Sequence, residues 1–74
     1  MKCIAILKVY GDINKIYESF QTEINERDRS KLNIKKEKDH VLFEVNAEDP
    51  VALRATLNMI TKLLTIYEKI DRLE

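Results

Sequence analysis

Residues 30–50, with the sequence SKLNIKKEKDHVLFEVNAEDP, determine the fold that the chain predicts. Apolar and polar residues alternate over 30–35 and again over 41–46, which is typical of half-buried strands. The polar turn between the two runs makes them a β-hairpin. Asp49 then precedes Pro50, and a capping side chain followed by proline is a strong helix start. The stretch therefore predicts a hairpin that leads directly into a helix.

The segments outside the hairpin complete the predicted fold. Residues 3–10 are apolar and β-branched and stop at Gly11-Asp12, so they predict the first strand. Asp12 caps a first helix with a single apolar face. That face contains Ile13, Ile16, Tyr17, Phe20 and Ile24. After Pro50, nothing interrupts the helical pattern from Val51 to about Leu73. The prediction is an α+β fold of order β-α-β-β-α, a three-stranded antiparallel sheet with the third strand central and two helices packed on one face.

Length and composition restrict the class of protein. The 74 residues predict a single domain, 1–74, and thirteen basic residues balance thirteen acidic ones. The chain thus has no overall field that attracts nucleic acid or anionic membranes. A lone Cys3 and the absence of a 20-residue apolar run lead us to expect a cytoplasmic protein. Cores of this size often need a disulfide, a metal or oligomerisation, and only oligomerisation remains.

The second helix has more apolar surface than one flat contact requires. Its apolar arc covers about 200° of the helical wheel. In one interpretation the helix lies between the sheet and the first helix, which widens any core stripe. In the other, part of the arc binds helices of another chain. The residues expected at that partner surface form one flank: Ala55, Met59, Lys62 and Ile66.

The first strand supports the interpretation of the helix as a partner surface. A right-handed crossover through the first helix, followed by the hairpin, leaves this strand at an edge of the sheet. Natural edges are usually blunted or covered, yet the middle of this strand carries no charge. We therefore expect it to pair with a second copy of the chain along Ile4, Ile6 and Lys8.

No residue pattern predicts catalysis, a metal or a cofactor. His40 lies where the turn enters a strand, and a general base would need a partner that the sequence does not identify. Cys3 fits a small buried hydrophobe better than a nucleophile. Glu48 and Asp49 are adjacent carboxylates, but helix capping explains Asp49. Gly11 is too isolated to form a phosphate loop. We expect a protein that is not an enzyme.

Two groups of polar residues allow alternative interpretations. Arg54 and Asn58 are four residues apart, near the expected position of Glu48. A surface salt bridge fits them, and so does a fixed polar contact that orders the strand–helix joint or meets a partner. The second group is basic and either is solvated or contributes weakly to binding nucleic-acid phosphates. It consists of Arg27, Arg29, Lys31, Lys35, Lys36 and Lys38.

Three short motifs carry a family resemblance. They are Arg29-Ser30-Lys31 before the second strand, Ala47-Glu48-Asp49 after the third, and Leu53-Arg54-Ala55 with Asn58 in the long helix. These motifs resemble those of the Pcc-type subunit, which is the smallest core subunit of the KEOPS complex of archaea and eukaryotes. The resemblance covers nearly the whole chain, because the size and the element order agree as well. Residues 59–61 differ, because the family often has a serine and an aromatic residue there. The motif residues are Arg29, Ser30, Asp49, Arg54 and Asn58.

The resemblance implies a non-catalytic subunit of the machinery that makes threonylcarbamoyladenosine beside the tRNA anticodon. Members of this family dimerise and pack their helices on helices of the catalytic ATP-binding subunit. The partners that it implies are a second copy, that catalytic subunit and, indirectly or weakly, tRNA.

Two other functions fit a domain of this shape. A small RNA-binding module of KH or ferredoxin-like type would show a Gly-x-x-Gly clamp or exposed sheet aromatics, and neither is present in the sequence. A ligand-sensing regulatory domain would normally end in a fourth strand, whereas this sequence ends in a predicted helix.

Overall fold

In the computed structural model, the described residues are 1–21 and 30–73, the side chains of 71–73 excepted. The element order is β1 (Cys3–Val9), α1 (Ile13–Gln21), β2 (Ser30–Lys36), β3 (Val41–Ala47) and α2 (Pro50–Leu73). The strands form one antiparallel sheet of order β1-β3-β2. This confirms the predicted fold and the central position of the third strand. Ile24, Arg27 and Arg29 lie outside the described residues.

Both helices begin at the capping residues that the sequence predicts. The Asp12 carboxylate accepts a hydrogen bond from the backbone N–H of Lys15 at 3.2 Å. The Asp49 carboxylate accepts one from the N–H of Ala52 at 2.8 Å. These bonds satisfy amide groups that have no partner within the helix itself. Asp49 is therefore a helix cap, as predicted.

The core lies between one face of the sheet and both helices. On β3, Val41, Phe43 and Val45 are fully buried, and so are Phe20 of α1 and Ile60 of α2. The Phe20 ring meets the Phe43 ring edge-on, with their centroids 4.8 Å apart. The helices thus cover a single face, as predicted. Neither helix, over its described part, has the length and apolarity of a membrane span.

A buried pair of hydroxyl groups links the start of β2 to α2. Ser30 Oγ and Thr56 Oγ1 are 2.7 Å apart, and the two residues are only 6% and 2% exposed. Each hydroxyl group provides the other with a hydrogen-bond partner away from water. The contact fixes the position of the second strand under the long helix.

Replacing Thr56 by valine should lower the free energy of unfolding by about 1–3 kcal/mol, because the Ser30 hydroxyl stays buried without this partner. The double variant Ser30→Ala/Thr56→Val should recover much of the loss, since both polar groups are then gone. Urea unfolding of the single and double variants measures the coupling. If the loss of unfolding free energy in the double variant equals the sum of the losses in the single variants, the two hydroxyl groups are not coupled.

Candidate partner-binding surfaces

The sheet face opposite the helices, which we call the open face, is apolar on one side and basic on the other. Its three cross-strand rows follow from the pairing register. The rows are Ile4–Asn46–Lys31, Ile6–Glu44–Asn33 and Lys8–Leu42–Lys35. Ile4 and Ile6 are each 61% exposed, a large value for isoleucine. Two adjacent apolar side chains on β1 are thus available to a partner.

The two edges of the sheet differ in how they are protected. Within the described ranges, neither β1 nor β2 has a strand on its outer side. On β2, Lys31 and Lys35 are exposed, and the Lys36 ammonium donates to Asn14 Oδ1 at 2.9 Å. Lysines are typical of edges that resist pairing. The predicted dimer edge on β1 carries only Lys8 near its end, so β1 is the more open of the two.

The α2 flank, formed by Ala55, Met59, Lys62 and Ile66, lies on the side of α2 turned away from α1. A cleft of about 440 Å³ separates α1 from the side of α2 that carries Leu64, Tyr67, Glu68 and Ile70. Glu68 and Ile66 are two residues apart and therefore about 160° apart around the helix. None of the four flank residues lines this cleft.

The residues of the α2 flank are not equally exposed. Ala55 and Lys62 are exposed, and Ile66 is 43% exposed. Met59 is half-buried and packs against the core. Part of the wide apolar arc of α2 therefore packs against the core, and its outer part remains exposed to solvent. Ile70, one turn beyond Ile66, is 47% exposed, but it lines the cleft toward α1.

The hairpin turn holds a small polar cluster around the only histidine. His40 Nδ1 and Asp39 Oδ1 share a hydrogen bond of 2.7 Å, and the rings of His40 and Tyr10 have centroids 5.2 Å apart. This hydrogen bond lowers the pKa of the Asp39 carboxyl below its ordinary value. The Glu37 N–H donates to the His40 carbonyl at 2.9 Å and closes the turn. His40 thus organises the turn, as its sequence position suggests.

The motif residues divide into structural and exposed ones. Ser30 and Asp49 are used inside the fold, in the hydroxyl pair and the helix cap. Arg54 and Asn58 are exposed on α2. Among the described residues, Arg54 forms no ion pair with Glu48, so of the two interpretations given for Arg54 and Asn58 the surface salt bridge is not formed there. Arg29 lies outside the described residues.

Sequence reasoning did not identify Thr56, the partner of Ser30. Its spacing was the available indication: Thr56 follows Leu53 by three residues and precedes Ile60 by four, which places it in the core stripe of the helix. A threonine within such a stripe needs a buried partner.

Comparison with known protein families adds an independent observation. The model of the family described as transcription factor Pcc1 matches residues 14–70, which is well over half of the chain. Searches of curated proteins and of solved structures find no significant match. The family match spans most of α1, both strands of the hairpin and most of α2.

Proposed function

The chain belongs to the Pcc1 family of non-catalytic KEOPS subunits, and we propose that it is the dimerising scaffold subunit of such a complex. In this role it contributes to tRNA modification without carrying out chemistry itself. It binds the catalytic ATP-binding subunit through the α2 flank and a second copy through β1. Because basic and acidic residues balance, we do not assign it direct DNA binding.

The observation that carries this proposal is the placement of two exposed apolar surfaces on opposite faces of one small domain. Ile4 and Ile6 lie on the open face, whereas Ile66 and Ile70 lie on the helix layer. A second copy that covers the open face beside β1 leaves the α2 flank accessible to a different chain. A domain with two such surfaces can join two copies of a larger subunit.

We expect the purified chain to sediment at micromolar concentration with twice the 8.7 kDa mass of one chain. Ile6→Lys should convert it to a monomer, because each copy would bring a new charge into an apolar contact. Its fold should persist, since Ile6 is 61% exposed.

Asn33→Lys provides a matched control for this dimer experiment. Asn33 and Ile6 lie on either side of Glu44 in the same cross-strand row, so both variants add one lysine beside the same carboxylate. The control should remain dimeric. A wild-type chain that sediments only as the single 8.7 kDa species would contradict the dimer.

A further inference from the structure

The outer edge of β2 carries an unusual density of positive charge, since three of its seven residues are lysines. Lys31 and Lys35 are exposed on the open face. Lys36 belongs to the other face, where its ammonium donates to Asn14 Oδ1 at 2.9 Å and lies 5.8 Å from the centre of the Tyr17 ring. Natural proteins prevent edge-to-edge pairing with lysines along an edge and with charged residues on its inward face. The β2 edge has both features.

Antiparallel pairing of two β2 strands would bring like charges together. If two copies overlap over the whole of Ser30–Lys36, the two-fold axis passes through the middle residue, Asn33. Residues equally distant from Asn33 then face each other, so Lys31 of each copy lies directly opposite Lys35 of the other. Like charges directly opposite in an antiparallel pair are destabilising. The full-length pairing of β2 with itself therefore contains two repulsive lysine pairs.

The same arrangement on β1 contains no such repulsion. The middle residue of Cys3–Val9 is Ile6, which would face Ile6 of the second copy, while Ile4 would face Lys8. Both isoleucines are 61% exposed, and Lys8 is the only charged residue of this strand. The charge pattern therefore permits β1 to pair with itself and opposes the same pairing of β2.

A sheet with two edges that both pair would not stop at two copies. A β1 contact joins two copies and leaves one β2 edge at each end of the combined sheet. If β2 paired as well, every dimer would bind two others and the sheet would grow into an open assembly. Resting on the β1 dimer proposed above, we propose that Lys31, Lys35 and Lys36, which we call the β2 lysines, limit the assembly to two copies.

Replacing all three β2 lysines by glutamine tests this inference, because glutamine removes the charge and keeps a polar side chain. The variant should form species of four or more chains whose share rises with concentration in sedimentation experiments. A matched control removes three positive charges from exposed positions outside the strands and should remain a dimer. The control is Lys15→Gln/Lys38→Gln/Lys69→Gln.

Adding Ile6→Lys to the β2 substitutions shows which edge the larger species use. Ile6→Lys alone should be a monomer, as stated above. The combined variant should be a dimer and nothing larger, because only β2 can then pair. A combined variant that remains a monomer overturns the inference. The same holds if the β2 variant stays a dimer, or if the control assembles to the same extent as the β2 variant.

These outcomes separate the inference from the proposed function. A wild-type dimer whose β2 variant does not grow overturns the inference alone. A monomeric wild type contradicts the β1 dimer, but the inference stands if the β2 variant is then a dimer. If both chains are monomers, both proposals fail.

Disulfide cross-linking tests the register of the β2 contact. In the combined variant, Asn33→Cys places one thiol on the two-fold axis, and Cys3→Ala removes the native thiol. Directly opposite residues in an antiparallel pair have Cα atoms about 4.5–5.5 Å apart, which a disulfide can bridge. Mild oxidation should therefore link the two copies. With the β2 lysines restored, most of the chain should stay unlinked, and equal linking in the two samples would contradict the inference.

Discussion

The Phe43→Ala variant is expected to be largely unfolded as an isolated chain at 25 °C. Phe43 is fully buried in the central strand, and its ring contacts that of Phe20 at a centroid distance of 4.8 Å. Removing a buried phenylalanine side chain costs about 3–5 kcal/mol, because the cavity closes only in part. Domains of this size rarely have more than about 3–5 kcal/mol to lose. Circular dichroism and urea unfolding measure the effect.

Val51→Ala is the control for that experiment. Val51 is 59% exposed in the first turn of α2, so its truncation should change the free energy of unfolding by no more than about 0.5 kcal/mol. A Phe43→Ala chain that unfolds at the wild-type urea concentration would show that the core is not centred on this ring.

The parts of the fold that the sequence predicts correctly are governed by local chemistry. Alternation over two short runs identifies β2 and β3, and the Asp49-Pro50 pair identifies the start of α2. Each pattern depends only on neighbours within a few residues. The Ser30–Thr56 hydrogen bond joins residues 26 apart in the chain, and no local pattern contains it.

The candidate partner surface was predicted less completely than the fold. The sequence shows that the apolar arc of α2 is wide, but the side that remains exposed depends on where α1 packs. The structure places α1 beside Leu64, Glu68 and Ile70, and Ile66 on the other side of the helix is 43% exposed. Met59 was expected only at the partner surface, and it also packs on the core because the helix lies close to the sheet.

Replacing Ile66 by aspartate should reduce affinity for the catalytic subunit by at least about a hundredfold. In the free chain the new carboxylate is tolerated, since Ile66 is 43% exposed and lies near Lys62 and Lys69. In the complex it would be buried in an apolar contact, and an uncompensated buried charge costs about 3–5 kcal/mol. Leu64→Asp places the same charge against the core and should unfold the domain.

The most direct test is a binding titration of the catalytic subunit with the wild-type chain and with Ile66→Asp, using samples whose folding is checked by circular dichroism melts. The account predicts that the wild type binds and that Ile66→Asp melts like the wild type, remains a dimer and binds at least about a hundredfold more weakly. A folded Ile66→Asp chain that binds as tightly as the wild type would place the docking surface elsewhere. An Ile66→Asp chain that unfolds as readily as Leu64→Asp would assign this flank to the core and contradict the account.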